Sequence, residues 1–370
     1  MNESDRRTIV KTVAAATALT AASAFRPAGA TPAPRIRFGV VGISHPHIYL
    51  MCDAVIRGGG ELTMFHTTEE NLVAEFQRRY PNARRVADER RIIEDRHIKL
   101  VASSIIPVQR APLGIRVMQA GKDFMADKPG IISLDQLAEV KRTAAETRRI
   151  YSIAYSERFD TRASVRAGQL IQAGAIGDVV QTMGTGPHRI NPSSRPAWFW
   201  DPTQYGGIIC DIGSHQMDQF LFYTGSTEAD VVASQVGNFH NQDHAEFQDF
   251  GDAMLRGNKG VGYVQLNWFT PQGLPVWGDG RNTIVGSAGY IELRKYIDIA
   301  GRPGANHLFL VDNSGVQYID CSDTVLPYGP QLVDDVLNRT ETAMTQAHCF
   351  LATELALKAQ ANARRIETQT

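Results

Sequence analysis

The sequence has no surplus of charge of either sign. Lysine and arginine number 38, aspartate and glutamate 39, for a formal net charge of −1 over 370 residues. Nucleic-acid binders ordinarily carry a basic excess or stripe, and disordered acidic chains are poor in apolar residues. Neither describes a chain that is 43% hydrophobic and 21% charged. Cysteine is scarce: Cys52, Cys210, Cys321 and Cys349 form no C-x-x-C pair and have no zinc-like spacing with histidine. No disulfide framework and no metal site is therefore expected. A long apolar run is also missing, since the stretch over 13–25 is too short and too alanine-rich to span a bilayer. The remaining composition is that of a globular chain with material for two domains.

Residues 1–30 have a character of their own. Arg6-Arg7 precede the mildly apolar stretch, and Pro27-Ala28-Gly29-Ala30 offers a small-residue cleavage site. The segment resembles a bacterial twin-arginine (Tat) export signal. That resemblance implies the Tat machinery as a partner, a periplasmic or secreted mature protein and no stable membrane insertion. The Tat route carries folded proteins, which suits an enzyme whose cofactor is loaded before export.

From 35 to 154, strands alternate with amphipathic helices. Strands are expected over 35–42, 61–66, 98–106, 123–126 and 149–154, and helices over 47–57, 69–80, 110–120 and 134–147. The triplet Gly58-Gly59-Gly60 closes the first helix. This rhythm predicts an α/β domain of Rossmann type, a doubly wound parallel sheet. Its first strand-to-helix turn is where a nucleotide pyrophosphate binds. Beyond 155, a helix over 161–174 leads into eight runs of alternating apolar residues between 178 and 320, joined by hairpin-like connections such as 257–260 and 287–289. They predict an α+β second domain over 155–370 with a large, mostly antiparallel sheet and a last helix over 340–364.

The glycine signature of a dinucleotide turn is eroded. After Gly39 in the strand, the pattern G-x-G-x-x-G becomes Gly42-Ile-Ser44-His45-Pro-His47. Only its first glycine stands; Ser44 still permits close backbone approach, and His47 fills space that glycine leaves for helix packing. Where the second strand should end in a carboxylate for a ribose 2′-hydroxyl, Thr67-Thr68 appear with Glu69 a step further on, leaving NAD against NADP open. Pro107 and Arg110 follow the third long strand, Arg110 either to contact phosphate or to face solvent. Asp127-Lys128-Pro129 puts a lysine at the C-terminal end of a parallel strand, aimed at the ligand crevice, and its X-Pro bond is a candidate for cis geometry. The most specific stretch is Asp211-x-x-x-His215-x-x-Asp218. Helical spacing places the three side chains on one face, where a carboxylate tunes an imidazole for proton transfer.

In this order the motifs resemble the Gfo/Idh/MocA family of NAD(P)-dependent oxidoreductases. The resemblance rests on Gly39-Val-Val-Gly42, on A-G-K-x-x-x-x-D-K-P where the family usually has E-K-P, and on Ile171-Gln-Ala-Gly-Ala-Ile-Gly-Asp178. It also rests on Trp198-Phe-Trp-Asp-Pro followed by Gly206-Gly207 and D-x-G-x-H-x-x-D, and on Gly286-Ser-Ala-Gly-Tyr-Ile-Glu292. It implies NAD or NADP held by Gly39, Gly42, Ser44, His45, His47, Thr67, Thr68, Pro107, Asp127 and Lys128. It implies Lys128 as the crevice lysine, Asp211 as the substrate-positioning aspartate and His215 as the proton shuttle in hydride transfer from a carbohydrate or polyol carbon. Arg158, His188, Arg195, Trp198 and Trp200 would face the substrate. Members of this family dimerise through the antiparallel sheet, so a homodimer or homotetramer is expected, with Val261, Tyr263 and Gln265-Leu266 outward. Two alternatives share the scaffold: a redox-neutral glycosidase or lyase that oxidises its sugar transiently, and a sugar- or nucleotide-binding protein without turnover.

Overall fold

Strands with continuous apolar runs demand cover on both faces, and the first half of the chain supplies it. The computed structural model describes residues 33–367, so the expected export segment lies outside the described residues. The first sheet contains β1 (Ile36–Val41), β2 (Gly60–His66), β3 (Arg84–Arg85), β4 (Ile98–Ser103), β5 (Asp123–Asp127) and β6 (Tyr151–Ala154). All pairings are parallel, in the order β3-β2-β1-β4-β5-β6. The connecting helices are α1 (His47–Arg57), α2 (Glu70–Arg79), α3 (Arg90–Ile93), α4 (Pro107–Gln119) and α5 (Leu134–Thr147). The chain doubles back between β1 and β4, the switch point at whose carboxyl edge open α/β sheets bind ligands. Gly39 sits inside β1, where a Cβ would come within 2.4 Å of Ile92; it serves packing between strand and helix, not the turn.

After α6 (Ser156–Phe159) and α7 (Arg162–Gln172) the chain enters the second sheet through β7 (Val179–Pro187). Then come α8 (Pro202–Tyr205), α9 (Ser214–Thr224), β8 (Ala229–Gly237), β9 (Phe250–Gly257), β10 (Val261–Asn267), β11 (Arg281–Gly286), β12 (Gly289–Arg294), β13 (His307–Asp312) and β14 (Gly315–Asp320). The sheet order is β14-β13-β12-β11-β7-β10-β9-β8-β15, the last being the short strand Arg364–Arg365, and it is antiparallel except for the β7–β10 and β8–β15 pairs. Residues alternate between a face packed on α7 and α9 and an open face, as one-sided sheets require. The alternation corrects one expectation: Val261 and Tyr263 point outward, but Leu266 is fully buried.

The last expected helix, over 340–364, is the shorter α11 (Gln346–Ala361), which ends before the two-residue β15 (Arg364–Arg365); a helix that the sequence reading missed, α10 (Tyr328–Asn338), precedes it. Arg339 in the left-handed region stops α10. Asp335 then takes hydrogen bonds from Thr340, Thr342 and Ala343 to shape the bend, and Thr345 caps α11 by accepting from the His348 amide. These helices return to the first sheet. Gly329 of α10 packs on the Ala54 backbone of α1, and Gln346 exchanges hydrogen bonds with the backbone of Tyr151 on edge strand β6. Among the described residues, no helix is long and apolar enough to cross a membrane.

Candidate active site

The carboxyl ends of β1 and β5 open onto a cavity of about 500 Å³, closed on its far side by the loops that follow β7 and β10. Lys128 enters from the end of β5, after which the Lys128–Pro129 peptide is cis. Its Nζ lies 2.9 Å from Asp211 Oδ1. Burial pushes the Asp211 carboxyl up, but the lysine charge and hydrogen bond outweigh it and hold the group below the usual carboxylate range. The ion pair therefore persists, with both partners on the cavity wall.

Asp211 reaches Lys128 because the backbone is not α-helical there. Gly206 and Gly207 both take positive φ, and at Gly207 a Cβ would overlap Gln360. Residues 209–213 then form one π turn ahead of α9. A π turn changes which residues share a face, and the expected alignment of Asp211, His215 and Asp218 is lost. Asp218 is instead buried in a bidentate pair with Arg158 at 2.6 and 2.7 Å, with His348 at 2.8 Å. Arg158 is thereby committed to structure and stays outside the cavity lining, contrary to its expected place beside the substrate. Trp200 also turns away, stacking on the His244 ring at 3.9 Å.

His215 is 2% exposed and lies behind the lining residues, with Nδ1 enclosed and without a hydrogen-bond partner. Burial pulls its pKa down to about 3, partly opposed by the Glu157 carboxylate. Glu157, which the sequence reading did not single out, is itself enclosed and held ionised by Lys295 at 2.5 Å despite its burial. On the wall stands His188, lowered to about 3 mainly by burial. Its Nδ1 lies 3.1 Å from the Gly186 carbonyl, which can only accept, so Nδ1 carries the hydrogen and Nε2 is left as an acceptor.

At the β1–α1 turn, Gly42 has φ +79° and a Cβ there would come within 2.5 Å of Ile105, the close approach that a dinucleotide cradle uses. The carboxylate missing from the end of β2 is supplied one step later: the Ser44 hydroxyl donates to Glu69 at 2.6 Å, bringing an acidic group beside the β1–α1 turn. Thr67 is buried with its hydroxyl accepting from the Glu69 amide, and Thr68 is exposed. The α1 terminus is less open to an anion than expected, since the His47 and Ile48 amides are engaged by the His45 ring and carbonyl. Pro107 opens α4 at the cavity edge. Arg110 neither faces solvent nor waits for phosphate: it is 1% exposed and donates to the Ile105, Lys128 and Pro129 carbonyls and to Asp127. It fixes the turn that aims Lys128.

Asp127, fully buried, also meets His45 at 3.2 Å and His47 at 2.8 Å. Burial pushes its carboxyl up, but His47 and Arg110 outweigh this and hold it well below its ordinary value. The sequence reading expected no metal site, yet His45, His47 and Asp127 bring three donor atoms within 4.8 Å of one another. Both Asp127 oxygens are engaged by protein donors, one by a guanidinium, so a positive charge already occupies the carboxylate. Trp268, Trp277 and Tyr296 complete the walls. No periodic pattern announced them, because they come from loops and strand ends.

Residues 164–292 match the GFO/IDH/MocA C-terminal domain. A candidate oxidoreductase from Erwinia carotovora atroseptica SCRI1043, solved at 1.25 Å, is 46% identical, with a TM-score of 0.87 over 90% of this chain and 100% of that one. The scyllo-inositol 2-dehydrogenase (NADP(+)) IolW of Bacillus subtilis is 25% identical over 173 residues, 47% of this chain and 48% of that protein. The levoglucosan dehydrogenase of Pseudarthrobacter phenanthrenivorans is 26% identical over 161 residues, 43% and 41% of the two chains. A levoglucosan dehydrogenase complex with NADH and levoglucosan has the same fold, with a TM-score of 0.71 at 18% identity over 88% and 97%. This chain spans about half the length of the curated relatives it matches.

Proposed function

From the premise that this chain belongs to the Gfo/Idh/MocA family of oxidoreductases, we propose that it is an exported dehydrogenase. It oxidises a hydroxyl-bearing carbon of a carbohydrate or polyol, or reduces the matching ketone, with a tightly held nicotinamide cofactor. The observation that carries the reading is the Lys128–Asp211 pair at 2.9 Å on the wall of a cavity at the switch point of a Rossmann-type sheet. The cofactor supplies the hydride acceptor. Gly42 allows its close approach, and Glu69 favours an unphosphorylated ribose, hence NAD, because a carboxylate repels a 2′-phosphate. The inositol and levoglucosan dehydrogenases among its relatives support a polyhydroxylated substrate.

The chain's own residues manage the oxygen. Lys128 donates a hydrogen bond to the reacting oxygen, and Asp211 holds the lysine in place. When the hydroxyl is oxidised to a carbonyl, its O–H proton would go to the neutral His215 at Nε2, the ring nitrogen that is not enclosed, with Glu157 stabilising the imidazolium. His188 contacts the substrate through Nε2. Export rests on Arg6-Arg7 and the small-residue site ending at Ala30. A periplasmic location has no soluble dinucleotide pool, which favours a cofactor that stays bound.

Mass spectrometry of the small molecules released on denaturing the purified protein tests the cofactor assignment. Stoichiometric NAD is expected; no dinucleotide, and no thermal shift with either one, refutes it. The proton assignment is tested separately. His215→Ala should lower kcat by roughly 10²–10⁴-fold with cofactor affinity nearly intact, whereas undiminished turnover removes His215 from the mechanism.

A further inference from the structure

The cavity carries more positive charge than its own carboxylates neutralise. Lys128 is paired with Asp211, Arg110 with Asp127, and the wall carboxylate Asp160 with Arg57. Two wall arginines, Arg189 and Arg195, have no carboxylate within 4.0 Å among the described residues. Both donate only to backbone carbonyls in the hydrogen bonds they make. Arg189 Nη2 braces the Pro271, Leu274 and Val276 carbonyls. Arg195 uses Nε on the Ile190 carbonyl at 2.6 Å and Nη2 on the Arg189 carbonyl at 3.0 Å.

Arg195 is the more informative of the two. Its guanidinium lies over the Phe199 ring at 4.3 Å and the Trp268 ring at 5.0 Å, the two rings being 5.1 Å apart on one side of it. Its Nε edge is spent on the backbone, and its outer edge keeps Nη1 and one hydrogen of Nη2 unspent. A guanidinium fixed by aromatic faces and backbone, with its end-on edge free on a cavity wall, matches the two oxygens of a carboxylate or phosphoryl group. Asp211, the carboxylate whose charge reaches it among the described residues, is committed to Lys128.

We propose that the substrate is an acidic sugar derivative, whose carboxylate or phosphoryl group docks on Arg195 while its reacting hydroxyl lies at Lys128. This rests on the dehydrogenase reading above and names its substrate class. Arg189 fixes the loop and adds to the local positive potential. A bidentate charge-assisted contact discriminates between the acidic compound and its neutral counterpart by about 10- to 100-fold. The preference should weaken with salt, as an exposed ion pair does.

The test compares glucose with glucuronate and with glucose 6-phosphate on the NAD-loaded full-length protein, by calorimetric binding and by NADH formation. We expect one acidic sugar to bind at least tenfold more tightly than glucose, and its identity tells carboxylate from phosphoryl recognition. In Arg195→Gln that ratio should collapse toward one, and in Arg195→Lys it should recover in part, since charge returns without the fork. Equal binding of acidic and neutral sugars, or a ratio that Arg195→Gln leaves unchanged, overturns the inference and leaves the dehydrogenase reading standing. Arg195-dependent binding of an acidic sugar without NADH formation from any sugar supports the anion site and counts against the dehydrogenase reading.

Discussion

At the scale of single residues, the cavity is a place where ionisable groups are held away from their ordinary protonation equilibria. Burial keeps His215 and His188 neutral down to about pH 3, and His45 down to about pH 4 with help from His47. In the unfolded chain all three protonate near the ordinary imidazole value of 6.5. Their folded values are depressed, so the stability they contribute is present above pH 6.5 and is lost as pH falls toward 4. Unfolding should therefore take up protons in that window. An enclosed imidazole such as His215 contributes about one proton, or about 1.4 kcal/mol per pH unit. His45 and His188 contribute less, because their rings are partly open to the cavity. The melting temperature should fall steeply from pH 6.5 to 4.5, and less steeply in His215→Asn. A flat profile there would mean that these rings are solvated in the folded state.

At the scale of elements, the sequence was most readable where one periodicity ran uninterrupted. The alternating helices and strands of the first half follow from runs such as Ile-Arg-Phe-Gly-Val-Val, buried at every position but one. The second sheet follows from apolar alternation with a period of two. It was least readable where a bend depends on side chains distant in sequence. The break between α10 and α11 is set by Asp335 reaching forward to residues 340–343, a network that no local pattern announces. The site divides in the same way. Lys128 and Asp211 were each legible from strand-end and motif position, but their contact spans 83 residues and depends on a π turn. Arg158 and Trp200 have the chemistry of substrate contacts, yet Asp218 and His244 claim them. The turn joining β1 to α1 offers a test at this scale. Gly42→Ala adds a Cβ within 2.5 Å of Ile105 at a positive φ, at a cost of about 1–3 kcal/mol. Because Ile105 also receives Arg110, which steadies Lys128, the substitution should lower the melting temperature by about 1–4 °C and NAD affinity by at least about tenfold. Unchanged NAD affinity would place the cofactor away from this turn.

At the scale of the whole molecule, the two faces of the nine-stranded sheet have opposite fates. One is covered by α7 and α9. The other presents Met183, Tyr263 and Met254 as direct neighbours on β7, β10 and β9, flanked by Val180, Val261 and Tyr290, each at least 36% exposed. Contiguous apolar side chains on an open sheet face are an association surface more often than a solvated one. A sheet face repeated on an identical chain can pack on itself through a two-fold axis. We propose that this face joins two copies. Met183→Glu combined with Met254→Glu places two carboxylates per chain where the partner's apolar face would lie. Without counter-charges these should weaken association by at least about 100-fold. The fold itself should tolerate the change within about 0.5 kcal/mol, because both positions face outward in the single chain. Sedimentation should then show a dimer or tetramer for the unaltered protein and a monomer for the double variant, at equal melting temperature once the linkage to association is allowed for. A monomer for the unaltered protein at tens of micromolar, or an oligomer that survives both glutamates, would move the interface elsewhere and leave this apolar face for a different partner.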